Sequence, residues 1–152
     1  MGFRAFREKH FPTTVARDLF GLVAGARLSF GISREVFAYK LDERLVIKFE
    51  RGAYAFQNVV EWETWERVED SPALKRWLAP CTAISPCGRV LVQRRTWPVP
   101  PHVKMPKRVP ALLADLKRDN WGYLDGRIVC HDYGFTRVTG VDLEPASFGG
   151  RT

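Results

Sequence analysis

One stretch limits what this chain can become: Leu113 to Gly134, LADLKRDNWGYLDGRIVCHDYG. Asp125-Gly126 is a two-residue hairpin signal. The run after it, Arg127 to His131, is short, β-branched and apolar, the pattern of a buried strand. An acid-bearing loop stands on either side. Asp115-Leu116-Lys117 with Asn120 precedes the hairpin, and Asp132-Tyr133-Gly134 follows it. The order is therefore loop, strand, tight turn, strand, loop. Asp, Asn and Gly are also ordinary turn residues, so as bare residues the loops are equally two surface turns.

The layout resembles the protein-kinase catalytic core. D-L-K-x-x-N matches the family's catalytic loop, H-R-D-L-K-x-x-N, and Asp132-Tyr133-Gly134 matches its D-F-G. The resemblance implies that Asp115 orients the attacking hydroxyl and that Lys117 neutralises charge on the transferring phosphoryl group. It further implies that Asn120 and Asp132 hold Mg²⁺ against the phosphates of ATP. Oxygen ligands suit a hard cation that keeps several waters. Leu113 and Ala114 replace the family's His and Arg, which removes the Arg that meets a phosphorylated activation loop. In style the chain is similar to small kinase-like proteins of tailed phages.

Upstream, the resemblance continues. L-S-F-G-I-S-R-E-V lies over the glycine-rich loop L-G-x-G-x-x-G-x-V, with Leu28, Gly31 and Val36 retained and Ser29 and Arg34 at the other glycine positions. Glycines there let backbone N–H groups approach phosphate, and Ser and Arg still donate hydrogen bonds. Leu45-Val46-Ile47-Lys48 resembles the V-A-I-K strand, and alternation puts Lys48 on the face of Val46. A Lys ending an apolar strand is more often a solvated strand end. With the acidic loops downstream it becomes the phosphate-binding lysine. Phe56 to Val68 outlines an amphipathic helix through Phe56, Val59, Val60, Trp65 and Val68. It stands where the family keeps the helix whose Glu pairs with that lysine. Glu61, one turn before Trp65, is the first candidate, ahead of Glu63 and Glu66.

The remaining elements follow from spacing. Thr13-Thr14 starts a helix carrying Val15, Leu19, Leu22 and Val23, and Gly25 is expected to stop it. Three strands are expected, around Leu28, over Val36 to Lys40 and over Leu45 to Phe49, with Asp42 to Arg44 as a turn. Ser71-Pro72 ends the main helix, and Ala73 to Leu78 is expected to form another turn. Cys81 to Ile84 and Arg89 to Arg95 form a hairpin closed by Ser85 to Gly88. By resemblance, the adenine-contacting hinge begins near Gln93 to Arg95. Thr96 to Pro110 holds five of the ten prolines, so it is an extended basic connector rather than a helix. Ala111 to Leu113 leaves room for a turn of helix.

At 152 residues this is one domain with a real core. No apolar run approaches a membrane span, the start carries no secretory pattern, and three cysteines without metal-ligand spacing read as reduced thiols of a cytoplasmic protein. A net charge of +7 points to an acidic partner: a nucleotide, an acidic protein surface or a nucleic acid. The five tryptophans suit base stacking, although Trp is more often partly buried core.

The fold expected is α+β. A protein-kinase-like small lobe, a five-stranded antiparallel sheet plus one main helix, is followed by a vestigial large lobe carrying the two acidic loops. The divisions are a helical extension over 1–27, the small lobe over 28–95, the connector over 96–110, the loops over 111–134 and a short tail over 135–152. Two functions compete. One is a minimal phosphotransferase using ATP and Mg²⁺ through Lys48, Glu61, Asp115, Lys117, Asn120 and Asp132, with Gly31, Gln93 and Arg94 also at the nucleotide. The other is a catalytically idle kinase-like protein that docks an acidic protein partner at Lys104, Lys107 and Arg108. A basic nucleic-acid binder is the third reading.

Overall fold

In the computed structural model, residues 14–31, 33–51, 56–136 and 142–148 are described. Helix α1, over 14–23, runs directly into β1 (Ala24–Phe30). Then come β2 (Arg34–Tyr39), β3 (Leu45–Glu50), α2 (Gln57–Val68), the short α3 (Pro72–Lys75), β4 (Cys81–Ile84) and β5 (Val90–Arg94). The downstream part holds β6 (Arg108–Pro110), a 3-10 turn at Arg118–Asn120, the β7–β8 hairpin (Trp121–Leu124 and Arg127–Cys130) and β9 (Leu143–Pro145). The first five strands form one antiparallel sheet in the order β1-β2-β3-β5-β4. This is an α+β fold with a five-stranded antiparallel sheet and few helices, compatible with a kinase-like small lobe.

Register decides which side chains share a face. Val36 pairs with Lys48 and Arg34 with Glu50 across β2 and β3. Lys48 pairs with Leu91 and Val46 with Gln93 across β3 and β5. Partners and alternate residues point the same way, so Arg34, Val36, Val46, Lys48, Leu91 and Gln93 line one face. Helix α2 covers it. The opposite face carries Phe37 and Phe49, and Phe20 of α1 packs against both with ring centroids 5.4 and 5.0 Å away.

Two expectations about α1 need correction. Gly25 does not stop the helix; it lies inside β1, the strand expected around Leu28, which begins at Ala24. The stripe read as apolar also misses, because Leu19 and Leu22 are exposed and the flanking Phe20 makes the sheet contact. The expected start at Thr13 lies outside the described residues.

Helix α2 starts without a side-chain cap of its own. Glu50, at the end of β3, supplies one: its Oε1 accepts the Gln57 N–H at 2.6 Å. That satisfies one of the orphan donors of the first turn and ties strand to helix. Phe56, expected on the apolar face, instead sits outside the helix with φ 49° and is exposed. The buried face is Asn58, Glu61, Thr64, Trp65 and Val68, polar over its first half.

The main core joins the two parts of the chain. Trp65 and Val68 of α2 pack with Leu78, Leu91, Val109, Leu112, Leu113, Trp121, Cys130 and Tyr133. Each large apolar side chain buried there contributes roughly 1.5–3 kcal/mol against exposure. The β7–β8 hairpin turns at Asp125 and Gly126, with φ of 48° and 82°. Positive φ at both central positions is the primed turn that an Asp-Gly pair favours. Ala111 to Leu113 is a hydrogen-bonded turn, Leu113 N–H to Pro110 C=O at 3.0 Å, and not helical. The tail does more than end the chain: β9 pairs with β6 of the connector, and Phe148 packs edge-on against Trp121 at 5.3 Å. Among the described residues no helix is long and apolar enough to cross a membrane.

Candidate functional site

The site forms where α2 meets both the sheet and the loop after β8. Glu61 is at its centre and is fully buried. Its Oε2 accepts from Lys48 Nζ at 2.8 Å, its Oε1 from Arg34 Nη2 at 2.9 Å, and Oε1 also accepts the Tyr133 N–H at 3.0 Å. One carboxylate thus fastens β3, β2 and the Asp132-Tyr133-Gly134 loop to one helix. Glu63 and Glu66, the other candidates for Lys48, are exposed.

Lys48 is only 2% exposed. Besides Glu61, its ammonium donates to the His131 C=O at 2.5 Å. Its own C=O accepts from Asn58 Nδ2 at 3.2 Å.

Arg34, expected only to donate hydrogen bonds at a lost glycine position, is buried, at 5% exposed. Its guanidinium meets Asn58 Oδ1 at 3.3 Å, Glu61 at 2.9 Å and Asp132 Oδ1 at 2.5 Å. The signal was available: strand alternation puts Arg34, two residues before Val36, on the same face as Lys48.

These contacts make a self-neutralised cluster, with two cations, Arg34 and Lys48, facing two carboxylates, Glu61 and Asp132. Burial works against the Arg34 charge, but Glu61 and Asp132 outweigh it and raise its pKa. Burial likewise favours a protonated Asp132, yet Arg34 and Lys48 prevail and hold its carboxyl below the usual value. A guanidinium does not deprotonate, so Arg34 keeps its charge inside the cluster.

The loops meet through backbone. Asn120 C=O accepts the N–H groups of His131 at 2.8 Å and Asp132 at 3.3 Å. Asn120 is buried, and its Nδ2 donates to the Asp115 C=O at 3.1 Å. The Asp115 carboxylate pairs instead with Lys117 at 3.3 Å, and the Lys117 side chain is largely exposed. Next to this junction, His131 Nε2 faces the Asp119 C=O at 2.9 Å, so that nitrogen carries the proton. Nδ1 then accepts from the Thr96 hydroxyl at 2.7 Å. Gly122 makes room for this pair, since a Cβ there would stand 2.3 Å from Thr96 Oγ1. Tyr133 is buried, and its hydroxyl donates to the Ala79 C=O at 2.7 Å.

The residues expected at the nucleotide have partners of their own in the chain. Gly31 closes the β1–β2 turn, its N–H bonded to the Arg34 C=O at 2.8 Å, so that donor is already engaged. Gln93 shares the face of Lys48, but its buried amide donates to the Ala79 C=O at 3.3 Å and its Oε1 has no partner among the described residues. Arg94 pairs on the surface with Asp125 at 3.3 Å. The hinge N–H groups are engaged too, Arg94 with Pro80 C=O and Arg95 with Arg44 C=O, both at 2.8 Å.

Arg34 holds Asp132 Oδ1, one of the two carboxylate oxygens a divalent cation would use, and the Asp132 side chain is 43% exposed. Of the groups expected to dock a partner, Lys104, Lys107 and Arg108 are all exposed, and Arg108 Nη2 also donates to the Leu143 C=O. The tryptophans form no stacking platform: Trp65 and Trp121 are core, Trp62 and Trp77 pack against it, and Trp97 lies exposed beneath Arg95 at 4.2 Å.

No family model matches the chain, and no curated protein matches it. Among solved structures it is similar to the streptomycin–ATP–APH(2″)-IIa ternary complex, an aminoglycoside phosphotransferase of protein-kinase-like fold. The TM-score is 0.42 and the identity 17%, over 57% of this chain and 29% of the other. So loose and partial an overlay says nothing about chemistry; the geometry of the Glu61 cluster has to.

Proposed function

We propose that this is a kinase-like domain, catalytically idle in the state seen, that acts by binding a protein partner. The observation that carries the reading is Arg34, seated between Glu61 and Asp132. In the resemblance, Lys48 meets phosphate and Asp132 meets metal. Here Arg34 holds Asp132 Oδ1, and the Lys48 ammonium, besides meeting Glu61, donates to the His131 C=O. A polyphosphate entering would have to break buried ion pairs, each costly to leave uncompensated. In this reading residues 28–95 are the small lobe, 96–110 the connector and 111–134 a vestigial large lobe, all in one domain.

Thermal melting with and without millimolar ATP–Mg²⁺ tests the reading. The expected result is an unchanged melting temperature and no transfer of labelled phosphate to the chain itself. Saturable stabilisation, about 2.7 kcal/mol at a hundred times Kd, would overturn it.

One observation favours a second reading, an active minimal phosphotransferase: the Lys48–Glu61 pair is made, at 2.8 Å. Kinase-type transfer requires that pair. It also requires Arg34 to release Asp132, so the same titration separates the two readings.

A further inference from the structure

Away from the Glu61 cluster, a cavity of about 190 Å³ opens between Arg76 and Trp77 after α3, Lys104 and Pro106 of the connector, and Arg127 and Ile128 at the start of β8. Half of its lining is cationic and half apolar, and no carboxylate lines it. Arg76, Lys104 and Arg127 are exposed, and among the described residues none of the three pairs with a carboxylate. Arg76 lies over the Trp77 ring, 5.6 Å from its centroid. The apolar part is well supported. Trp77 and Ile128 pack on the main core, and the Trp77 C=O accepts the Cys130 N–H at 2.8 Å, which fixes the segment against β8. Lys107, also exposed, extends the positive charge along the connector.

We infer that this cavity is the docking site for an acidic peptide segment of a partner protein, which places one bulky apolar side chain against Trp77, Pro106 and Ile128 while flanking carboxylates meet Arg76, Lys104 and Arg127. Size and chemistry select that occupant. The volume falls below the roughly 300–1,000 Å³ of small-molecule sites, so it holds a side chain rather than a whole cofactor. A free phosphate has no use for the apolar half. A nucleic acid is bound along a basic groove with several exposed aromatic rings, and here one partly buried Trp is available. Three desolvating cations around an apolar floor match an anchor residue with acidic neighbours. This inference rests on the partner-binding reading, but it is tested without nucleotide, so either can fail alone.

The probe is a fluorescein-labelled peptide with one tryptophan flanked by three glutamates on each side, followed by anisotropy on the full chain. Saturable binding is expected, weakened about fivefold or more by each of R76E, K104E and R127E, and weakened by added salt. The peptide with alanine for tryptophan should bind at least tenfold more weakly, and the one with lysines for glutamates should not bind. All three substitutions are at exposed positions; if R76E alters the circular dichroism, K104E and R127E carry the test. Binding indifferent to the charge reversals, or to loss of the tryptophan, would overturn the proposal. So would displacement of the peptide by a twelve-residue oligothymidylate at a lower concentration than by unlabelled peptide.

Discussion

Arg34 stands at one of the two positions where the resembled loop has a lost glycine, and its buried side chain lies between Glu61 and Asp132. Its guanidinium bonds Asn58, Glu61 and Asp132 at once, a geometry a lysine would not reproduce. The charge balance makes stability pH-dependent. The pKa of His131 is lowered by burial and by Lys48, and that of Asp132 is held below its usual value by Arg34 and Lys48 against the effect of burial. Both are lower in the folded chain than in the unfolded one, so their stabilisation is present above the unfolded pKa and lost as pH falls. The melting temperature should therefore decline below about pH 6.5 and more steeply below about pH 4. H131Q, which is never protonated, should flatten the upper part of the decline. A melting temperature constant between pH 7 and pH 5 in the unsubstituted protein would contradict this assignment.

The elements were legible where side-chain period and turn chemistry agree. Strands β2 and β3 alternate clearly, and Asp125-Gly126 specified its hairpin because the turn needs positive φ at both positions. Gly126→Ala should cost about 1–2 kcal/mol in a denaturant melt, since Ala resists left-handed φ although nothing crowds it. Gly122→Ala should destabilise for a different reason, contact with Thr96, and Thr96→Ala in the same chain should recover part of the loss. If the two changes add without recovery, the close approach at Gly122 is not the cause. Helix α2 was legible as a helix, and Glu61 stood one turn before Trp65, but Asn58 and Thr64 were not legible as buried. They are inside because Arg34, the Lys48 C=O and Thr136 offer them partners, and no apolar periodicity announces that. The end of α1 was not legible for a related reason: Gly25 sits in β1 because its missing Cβ would lie 2.9 Å from the Ala38 carbonyl oxygen, a close approach rather than a helix stop.

At the scale of the molecule, the sheet order and the meeting of the two acidic loops were within reach of the sequence, while the closure of the downstream part was not. Strand β9 has three residues and pairs with a proline-bearing strand in a connector, so it leaves almost no pattern to read. The three thiols report on this whole. Burial, then Glu61, pushes Cys81 up to about 12, and burial raises Cys130 as well. Cys87 is exposed and lowered by the Arg89 N–H and the Ser85 hydroxyl. Iodoacetamide should label Cys87 quickly and the other two only as the chain unfolds; rapid labelling of all three in native buffer would mean the core opens locally. The central claim, that Arg34 holds the cleft shut, is tested most directly by melting the protein and its R34G and R34Q variants with and without ATP–Mg²⁺. The account predicts no shift for the unsubstituted protein and a saturable rise in melting temperature for at least one variant, because Asp132 is then released from Arg34 to a ligand. A rise of equal size in the unsubstituted protein, or none in either variant while both remain folded, would contradict it.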